Sequence, residues 1–409
     1  MTEIDIVVIG AGAAGIAAAR RLGELRATCL VLEAAAVAGG RCRTDHGTLG
    51  IPVDLGAHWL HSPRRNPLIG LAAATGARIG QPLETRYSAN GSWLSDEDAA
   101  ACVAHVDHCF DRIAAATQDG AVADLFADAT SPWHAAFLAE FAAKQGLAPE
   151  QSSILDFARY PWEGDDLPVP DGFGTLLAGL ASGLNLHLAT PVRRVDWSER
   201  GRLRIATDQG DIAARAVILT VSPHVLGSGI RFDPPLPDWK RDAVAALPMG
   251  HCNKLALRFE RPVFGDLAPC LVMPLRGARE SVEFVLREDC RDSAVCMVNG
   301  PFARELAAAG AGAMRDYVLE CLVEMFGSDL RRAAAPESVF VNWDADPFFG
   351  GCYAVARPGR ADMRAVLAQP VADRLFFAGE ATSPEFMGDV HGAWFSGIAA
   401  AEAAAASGQ

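Results

Sequence analysis

The sequence has no CxxC pair. Its ten cysteines are scattered at irregular spacing through 409 residues, with no zinc-like grouping among them. Neither a disulfide framework nor a metal is therefore expected, and the thiols point to a reducing compartment. Also missing is any basic cluster that could track a phosphate backbone. Against 50 acidic residues stand 36 basic ones, for a formal net charge of −14, so nucleic acid is not expected as a partner. That acidity suits long-range steering of a cationic ligand, or ordinary solubility. No signal-peptide pattern opens the chain, because Asp5 interrupts the N-terminal apolar run and a glycine turn follows at once. No uncharged apolar stretch reaches membrane-spanning length, and the Ala-rich C-terminus carries Glu402. The expectation is a cytoplasmic protein, monomeric or homodimeric, with no membrane partner.

What the chain does have is a composition that is half hydrophobic and only 21% charged, enough for two domains or one large composite one. Its organising stretch comes first. Ile4-Asp5-Ile6-Val7-Val8-Ile9 is a β-branched run suited to a buried parallel strand, and it leads into Gly10-Ala11-Gly12-Ala13-Ala14-Gly15. An Ala-rich helix from Ala14 to Arg26 and a second strand, Thr28 to Leu32, ending in Glu33, close a βαβ unit. Gly10 makes the tight turn. Gly12, with Ala13 and Ala14 at the helix start, lets backbone N–H groups approach a pyrophosphate, and Gly15 lets helix pack on strand. Glu33 lies where a carboxylate accepts from ribose hydroxyls; its charge disfavours a 2′-phosphate, which leaves FAD or NAD.

Next comes Gly39-Gly40-Arg41-Cys42-Arg43, a glycine pair with two arginines of the kind that adds contacts to the pyrophosphate in flavin enzymes, which favours FAD. Asp54-Leu55-Gly56-Ala57-His58-Trp59-Leu60-His61 follows, then Asn66-Pro67-Leu68. These segments resemble the flavin-containing amine oxidases, and within them the polyamine oxidase branch. The resemblance implies that residues 56–59 run past the reactive side of the flavin. Gly56 and Ala57 permit close backbone approach there, with His58 beside them, Trp59 forms an apolar wall, and His61 sits near the substrate amine unless it is a hydrogen-bonded structural residue. Residues 81–162 read as helical, clearest over 98–116 and 132–145, with few strand signals; the family places a helical cover over the flavin here.

Later motifs continue the resemblance. Short strands around Leu184 to Leu188, Pro191 to Val195, Arg202 to Thr207 and Ala216 to Thr220 match the β-rich part of the family fold, in which the backbone at Val195, or alternatively Val192, meets the adenine. Lys254 interrupts an otherwise apolar strand, Asn253-Lys254-Leu255-Ala256-Leu257, where an unpartnered ammonium is costly. The family places a lysine here, bridged by water to flavin N5, to relay a proton or to stabilise charge when the reduced flavin meets oxygen. A long helix is expected from Phe302 to Phe326. Trp343 resembles the tryptophan beside the flavin, and Gly350-Gly351-Cys352-Tyr353 is close to the monoamine oxidase sequence, in which the cysteine tethers FAD and the tyrosine walls an aromatic cage. The alternative for Cys352 is a small buried thiol beside the ring. Phe377-Ala378-Gly379-Glu380-Ala381-Thr382 and Gly388-Asp389-Val390-His391-Gly392-Ala393 resemble the C-terminal FAD signature, with Gly379, Glu380 and Val390 at the cofactor. Asp389 departs from the usual aromatic: it is either a carboxylate for the distal cation of a diamine or a charge at a helix N-terminus.

The implied fold is α/β, a Rossmann-like FAD-binding domain of the GR2 type with an α+β substrate domain. The FAD domain is expected from residues 1–78, 170–243 and 346–409, and the substrate domain from 79–169 and 244–345. The implied reaction is oxidation of an amine: hydride passes from the carbon next to a neutral nitrogen to flavin N5, the imine hydrolyses, and O2 regenerates the flavin with release of hydrogen peroxide. The substrate is a small amine contacted by Trp59, His61, Tyr353 and Asp389. A monoamine oxidase-like enzyme with covalent FAD, a flavin desaturase or porphyrinogen oxidase, and a flavin-stabilised binding protein are the alternatives.

Overall fold

A computed structural model describes residues 4–161 and 163–407. Among them, strands form an eight-stranded sheet, a seven-stranded sheet and two small two-stranded ones. The first sheet is centred on the strand Ile4–Ile9, which pairs in parallel with Cys29–Leu32 on one side and Gly210–Leu219 on the other. Both faces of this strand are covered, as expected of a continuous β-branched run. Ile6 and Val8 face the helix Ala13–Glu24, while Val7 and Ile9 join a second cluster with Val217, Leu219 and Phe377. The first helix also packs on the last, Val390–Ala406, so closely that a Cβ on Gly397 would lie 2.1 Å from the Ala14 carbonyl oxygen. The two ends of the chain therefore close one dinucleotide-binding layer.

The second sheet runs in the order Ala334–Val341, Cys252–Phe259, Ser293–Asn299, Ser281–Leu286, Cys270–Leu275, Glu84–Ala89 and Ser92–Trp93. One face buries Leu255, Val272, Phe284 and Val298 against the helices Gly300–Ala308 and Ala311–Phe326. The other face packs Ala256, Val285, Val295 and Val339 against Leu49 and Val53 and, beside that cluster, borders a cavity. The helix Asp96–Ala114 and the helix His134–Gln145 pack their own aromatic cluster, including Phe137, Phe141 and Phe157, beside this sheet. No helix among the described residues is long and apolar enough to cross a membrane.

Three local expectations need correction. Residues 84–93 are a β-hairpin rather than helix: Asn90 and Gly91 turn with φ of 51° and 74°, and Glu84–Ala89 adds in parallel to Cys270–Leu275. Asn-Gly is the strongest two-residue hairpin signal, because both turn positions need positive φ. The helix expected over 302–326 is two helices, broken at Gly310, whose φ of 97° no right-handed helix accommodates. The strand near 184–188 shortens to Leu186–His187.

The helical cover is fastened to the C-terminal third by a buried ion pair. Arg364 donates from Nε to Asp156 Oδ1 at 2.7 Å, and from one terminal nitrogen to Asp156 Oδ2 at 2.8 Å and the Ala354 carbonyl at 2.7 Å. Neither side chain is more than 1% exposed. Removing one partner strands a buried charge, so Arg364→Met is expected to lower stability by about 3–5 kcal/mol, read as a fall in the urea midpoint, while Arg364→Met with Asp156→Leu recovers more than half of that. A loss below about 1 kcal/mol for the single variant would contradict the assignment.

Candidate active site

Glycines without room for a side chain create the first half of the site. A Cβ on Gly15 would lie 1.9 Å from the Gly10 carbonyl oxygen, so helix and strand meet backbone to backbone. Gly40 packs near Gly12 less tightly, where its Cβ would come within 3.2 Å of the Gly12 Cα. The helix starting at Ala13 has no side-chain cap, which leaves its N-terminal N–H groups and positive dipole end open to an anion. Glu33 accepts from Ala11 N at 2.6 Å and Ala35 N at 2.8 Å, and burial pushes its carboxyl up despite these bonds. Gly10, Gly12, Ala13, Ala14, Glu33, Gly40 and Arg41 all line one cavity of about 760 Å3. A bare backbone cradle, an uncapped helix start and an acid after the second strand fit a dinucleotide.

The same cavity continues along the part of the second sheet's other face that the Leu49–Val53 cluster does not cover. Register puts Lys254 opposite Met297, and Met297 opposite Glu283; on the outer strands Met273 stands opposite Tyr87 and Leu271 opposite Thr85. All of these residues line the cavity. Lys254 lies on an interior strand, flanked by Ser293–Asn299 and Ala334–Val341, so it cannot reach solvent from an edge. Its Nζ donates to the Asp54 carbonyl at 3.3 Å, and burial draws the ammonium pKa down, against the opposing pull of Cys252, Asp54 and Glu283. The Asp54 carboxylate, meanwhile, accepts from Phe173 N, Gly174 N and the Thr44 hydroxyl, which pins the helix Phe173–Leu180.

The segment 54–68 gains its shape from close packing. Gly56 sits on the Arg41 carbonyl and faces Trp343: a Cβ there would come within 1.8 Å of the Arg41 oxygen and 3.1 Å of the Trp343 ring. His58 packs edge-on to Trp59 with centroids 4.4 Å apart, and its Nε2 is 3.2 Å from Glu288. Asn66 caps the helix Pro67–Thr75 through Leu68 N and donates its amide to the His61 carbonyl at 2.9 Å, which holds the His61 turn in place.

His61 sits inside an acidic group. Its Nδ1 is 2.5 Å from Asp166 Oδ1 and its Nε2 3.9 Å from Asp389 Oδ1. Burial alone would lower its pKa, but the charges of Asp166 and Asp389 and the bond to Asp166 outweigh it and push the imidazole up to about 9. Asp389 precedes the last helix but does not cap it; its carboxylate instead accepts from the Tyr160 hydroxyl and lies 3.6 Å from His391 Nδ1. Burial raises Asp389 to about 6, against the pull of His61 and Tyr160. At neutral pH His61 is thus an imidazolium held between two carboxylates, a poor base and a good positioning charge.

Of the residues read from the sequence, twenty line this cavity: those above together with Ala57, Trp59, Trp343, Cys352, Tyr353, Gly379, Glu380 and Val390. Gly15 lies beneath it as packing. Val195 is a correction: it is fully buried inside its sheet, opposite Ile205 and Phe232, and Val192 at the start of the strand faces the cavity. Tyr353 donates to the Ala143 carbonyl at 2.7 Å and faces Gly388, so the second wall of an aromatic cage is absent at that point. Burial pushes the Cys352 thiol well up, which keeps it neutral. Sequence reasoning missed Glu140, Lys144, Tyr160, Asp166 and Glu283, which also line the cavity. Glu283 carried the same signal as Lys254, a lone charge in an apolar strand, Val282-Glu283-Phe284.

Comparison with known proteins agrees with this geometry. The family described as "Flavin containing amine oxidoreductase" matches residues 101–405, and an NAD(P)-binding Rossmann-like domain matches 8–74. Polyamine oxidase 2 of Arabidopsis thaliana is 31% identical over 97% of this chain and 87% of its own length. Polyamine oxidase 4 of Oryza sativa subsp. japonica is 30% identical over 97% and 88%. The solved structure of cyclohexylamine oxidase from Brevibacterium oxydans IH-35A superposes with a TM-score of 0.82 over 99% of both chains at 22% identity, which shows a shared fold. With its glycine cradle, its buried lysine and a family match over most of its length, the chain belongs to the flavin-containing amine oxidoreductases and is an FAD-dependent amine oxidase.

Proposed function

We propose that this oxidase acts on a di- or polyamine, with O2 as electron acceptor and hydrogen peroxide as product. The observation that carries the reading is a set of carboxylates on the walls of the cavity that holds Lys254: Asp389, Glu283 and Glu140, each half-buried, and the more exposed Asp166. His61, Lys144 and Lys254 already balance part of this charge, and the carboxylate charge that remains matches the spaced ammoniums of a polyamine. The relatives named polyamine oxidases support the same substrate class. A cytoplasmic location belongs to this reading too, supported by ten cysteines that are all unpaired.

The residues divide the work. The glycine cradle, Glu33 and Arg41 hold the dinucleotide. FAD held there would supply a two-electron acceptor for a hydride from the carbon beside the amine nitrogen, and O2 taking up those two electrons with two protons would give hydrogen peroxide. Trp59, Trp343 and Tyr353 exclude water around the reacting amine, which lowers its pKa and favours the neutral nitrogen the reaction needs. Asp389 orients a distal ammonium. Lys254, on an interior strand with a depressed pKa, holds or releases a proton at Nζ inside the cavity.

Oxygen consumption and peroxide release test these roles. Asp389→Asn is expected to raise KM for a diamine by roughly tenfold or more and to leave a monoamine of equal length little changed. Since Asp389 is ionised only above about pH 6, kcat/KM for the diamine should fall more steeply than for the monoamine as pH drops through that value. Around the carboxylate, His61 is raised to about 9 and His391 lowered to about 3, while Tyr160 is raised and Asp166 lowered, so none of these four changes charge near pH 6 with either substrate. Equal pH profiles for diamine and monoamine would reject the role of Asp389. Lys254→Met should retain FAD but slow its reoxidation by O2 by roughly 10²-fold or more; unchanged reoxidation would reject the role of Lys254.

A further inference from the structure

Away from the cavity, the helical cover brings together three side chains that neither the oxidase reaction nor the FAD site uses. His105 and Cys109 lie one turn apart on the helix Asp96–Ala114, so their side chains share a face. His134 is the first residue of the helix His134–Gln145, which packs across that face. One ligand atom from each lies within 4.8 Å of the others, and His105 Nε2 is 3.5 Å from Cys109 Sγ. Bonds of about 2.0–2.1 Å to nitrogen and about 2.3 Å to sulfur at a tetrahedral angle place those two atoms about 3.5 Å apart.

The surroundings point the same way. His134 Nδ1 is fully buried and has no hydrogen-bond partner, an orphaned donor or acceptor of the kind a native structure normally satisfies. Cys109 is 2% exposed. Phe126 and Phe137 stand 5.7 Å and 5.3 Å from the His134 ring and form a dry wall.

We propose that His105, Cys109 and His134 form a zinc site that clips the start of the helix His134–Gln145 to the helix Asp96–Ala114. Mixed imidazole and thiolate donors in a tetrahedral arrangement select zinc over calcium or magnesium, with the fourth position left to water. Binding releases the Cys109 proton to solvent and involves no redox change. The clipped helix carries Glu140, Ala143, Lys144 and Gln145 along the substrate cavity, so the ion fixes a wall of the active site from outside it. The cysteine spacing predicted no metal because the third ligand comes from the next helix, and only folding brings it in.

The test uses the FAD-loaded enzyme, freed of metal with a chelator and titrated with zinc against a chromogenic chelator. One equivalent per chain is expected, with a higher thermal midpoint in zinc. Loss of even an outer-shell partner costs roughly 10–100-fold in metal affinity, so Cys109→Ser and His134→Ala should each lose at least that. Cys290→Ser, at an exposed thiol, should bind as the unaltered enzyme does. Cobalt(II) should give a thiolate charge-transfer band that Cys109→Ser abolishes. Retained flavin content shows that a variant has folded; if Cys109→Ser does not fold, His105→Gln replaces it. Substoichiometric zinc, or equal affinity in the ligand variants and Cys290→Ser, would reduce the cluster to a thiol–imidazole hydrogen bond and overturn the proposal.

Discussion

The buried carboxylate of Glu380 is the point on which four separate stretches of this chain converge. Its Oε1 accepts from Arg41 at 2.9 Å and from Ala354 N at 3.0 Å, and its Oε2 accepts from Gly388 N at 3.3 Å. Arg364 lies 3.9 Å from the same group and carries the link onward to Asp156 in the helical cover. Arg41 also donates to the Cys352 carbonyl at 2.6 Å. A carboxylate that is 5% exposed is costly unless its lone pairs are satisfied, and here each partner comes from a different part of the sequence. The glycine-rich N-terminal loop, the Cys352 turn, the start of the last helix and the cover are therefore brought into register by one charge, and the cavity is the space they enclose.

That convergence explains why cofactor and substrate share a cavity. The dinucleotide-binding layer presents bare backbone and a helix start, which suit phosphates. The second sheet presents a polar row on an otherwise apolar face, with Lys254 and Glu283 separated by Met297. Between them the segment 54–68 contributes both layers at once: Gly56 touches the Arg41 backbone, while His61 meets the acids of the substrate side. Charge inside the cavity is graded from a depressed lysine through an imidazolium held by carboxylates, and an incoming cation meets the acidic end.

Much of the cofactor layer was legible because its chemistry demands fixed spacing: GxGxxG between two strands, then GGR, then the C-terminal Gly-Glu pair, each tied to a contact that only that residue type allows. Val195 and Val192 could not be told apart because a strand gives the same signal at its end as inside it; both are buried, and only the fold shows that Val192 is the one that lines the cavity. The hairpin at Asn90-Gly91 and the break at Gly310 were written in positive-φ residues and were passed over in favour of helical periodicity. The substrate acids were hard to read for a different reason. Glu140 and Tyr160 come from an Ala-rich segment with no spacing rule, where an acidic residue on a solvated helix face looks the same as one aimed into a cavity, and Asp166 follows in an acidic loop, Glu163-Gly164-Asp165-Asp166.

The most direct measurement is the visible spectrum of the purified, FAD-loaded protein under anaerobic conditions, before and after adding putrescine, spermine, acetylated polyamines and simple arylalkylamines in turn. Bleaching of the flavin band by a di- or polyamine, faster than by an arylalkylamine, is the expected result, because only the former engages the carboxylates around His61. Bleaching by arylalkylamines alone would move the substrate to the monoamine type. A flavin that stays oxidised with every amine would contradict amine oxidation itself.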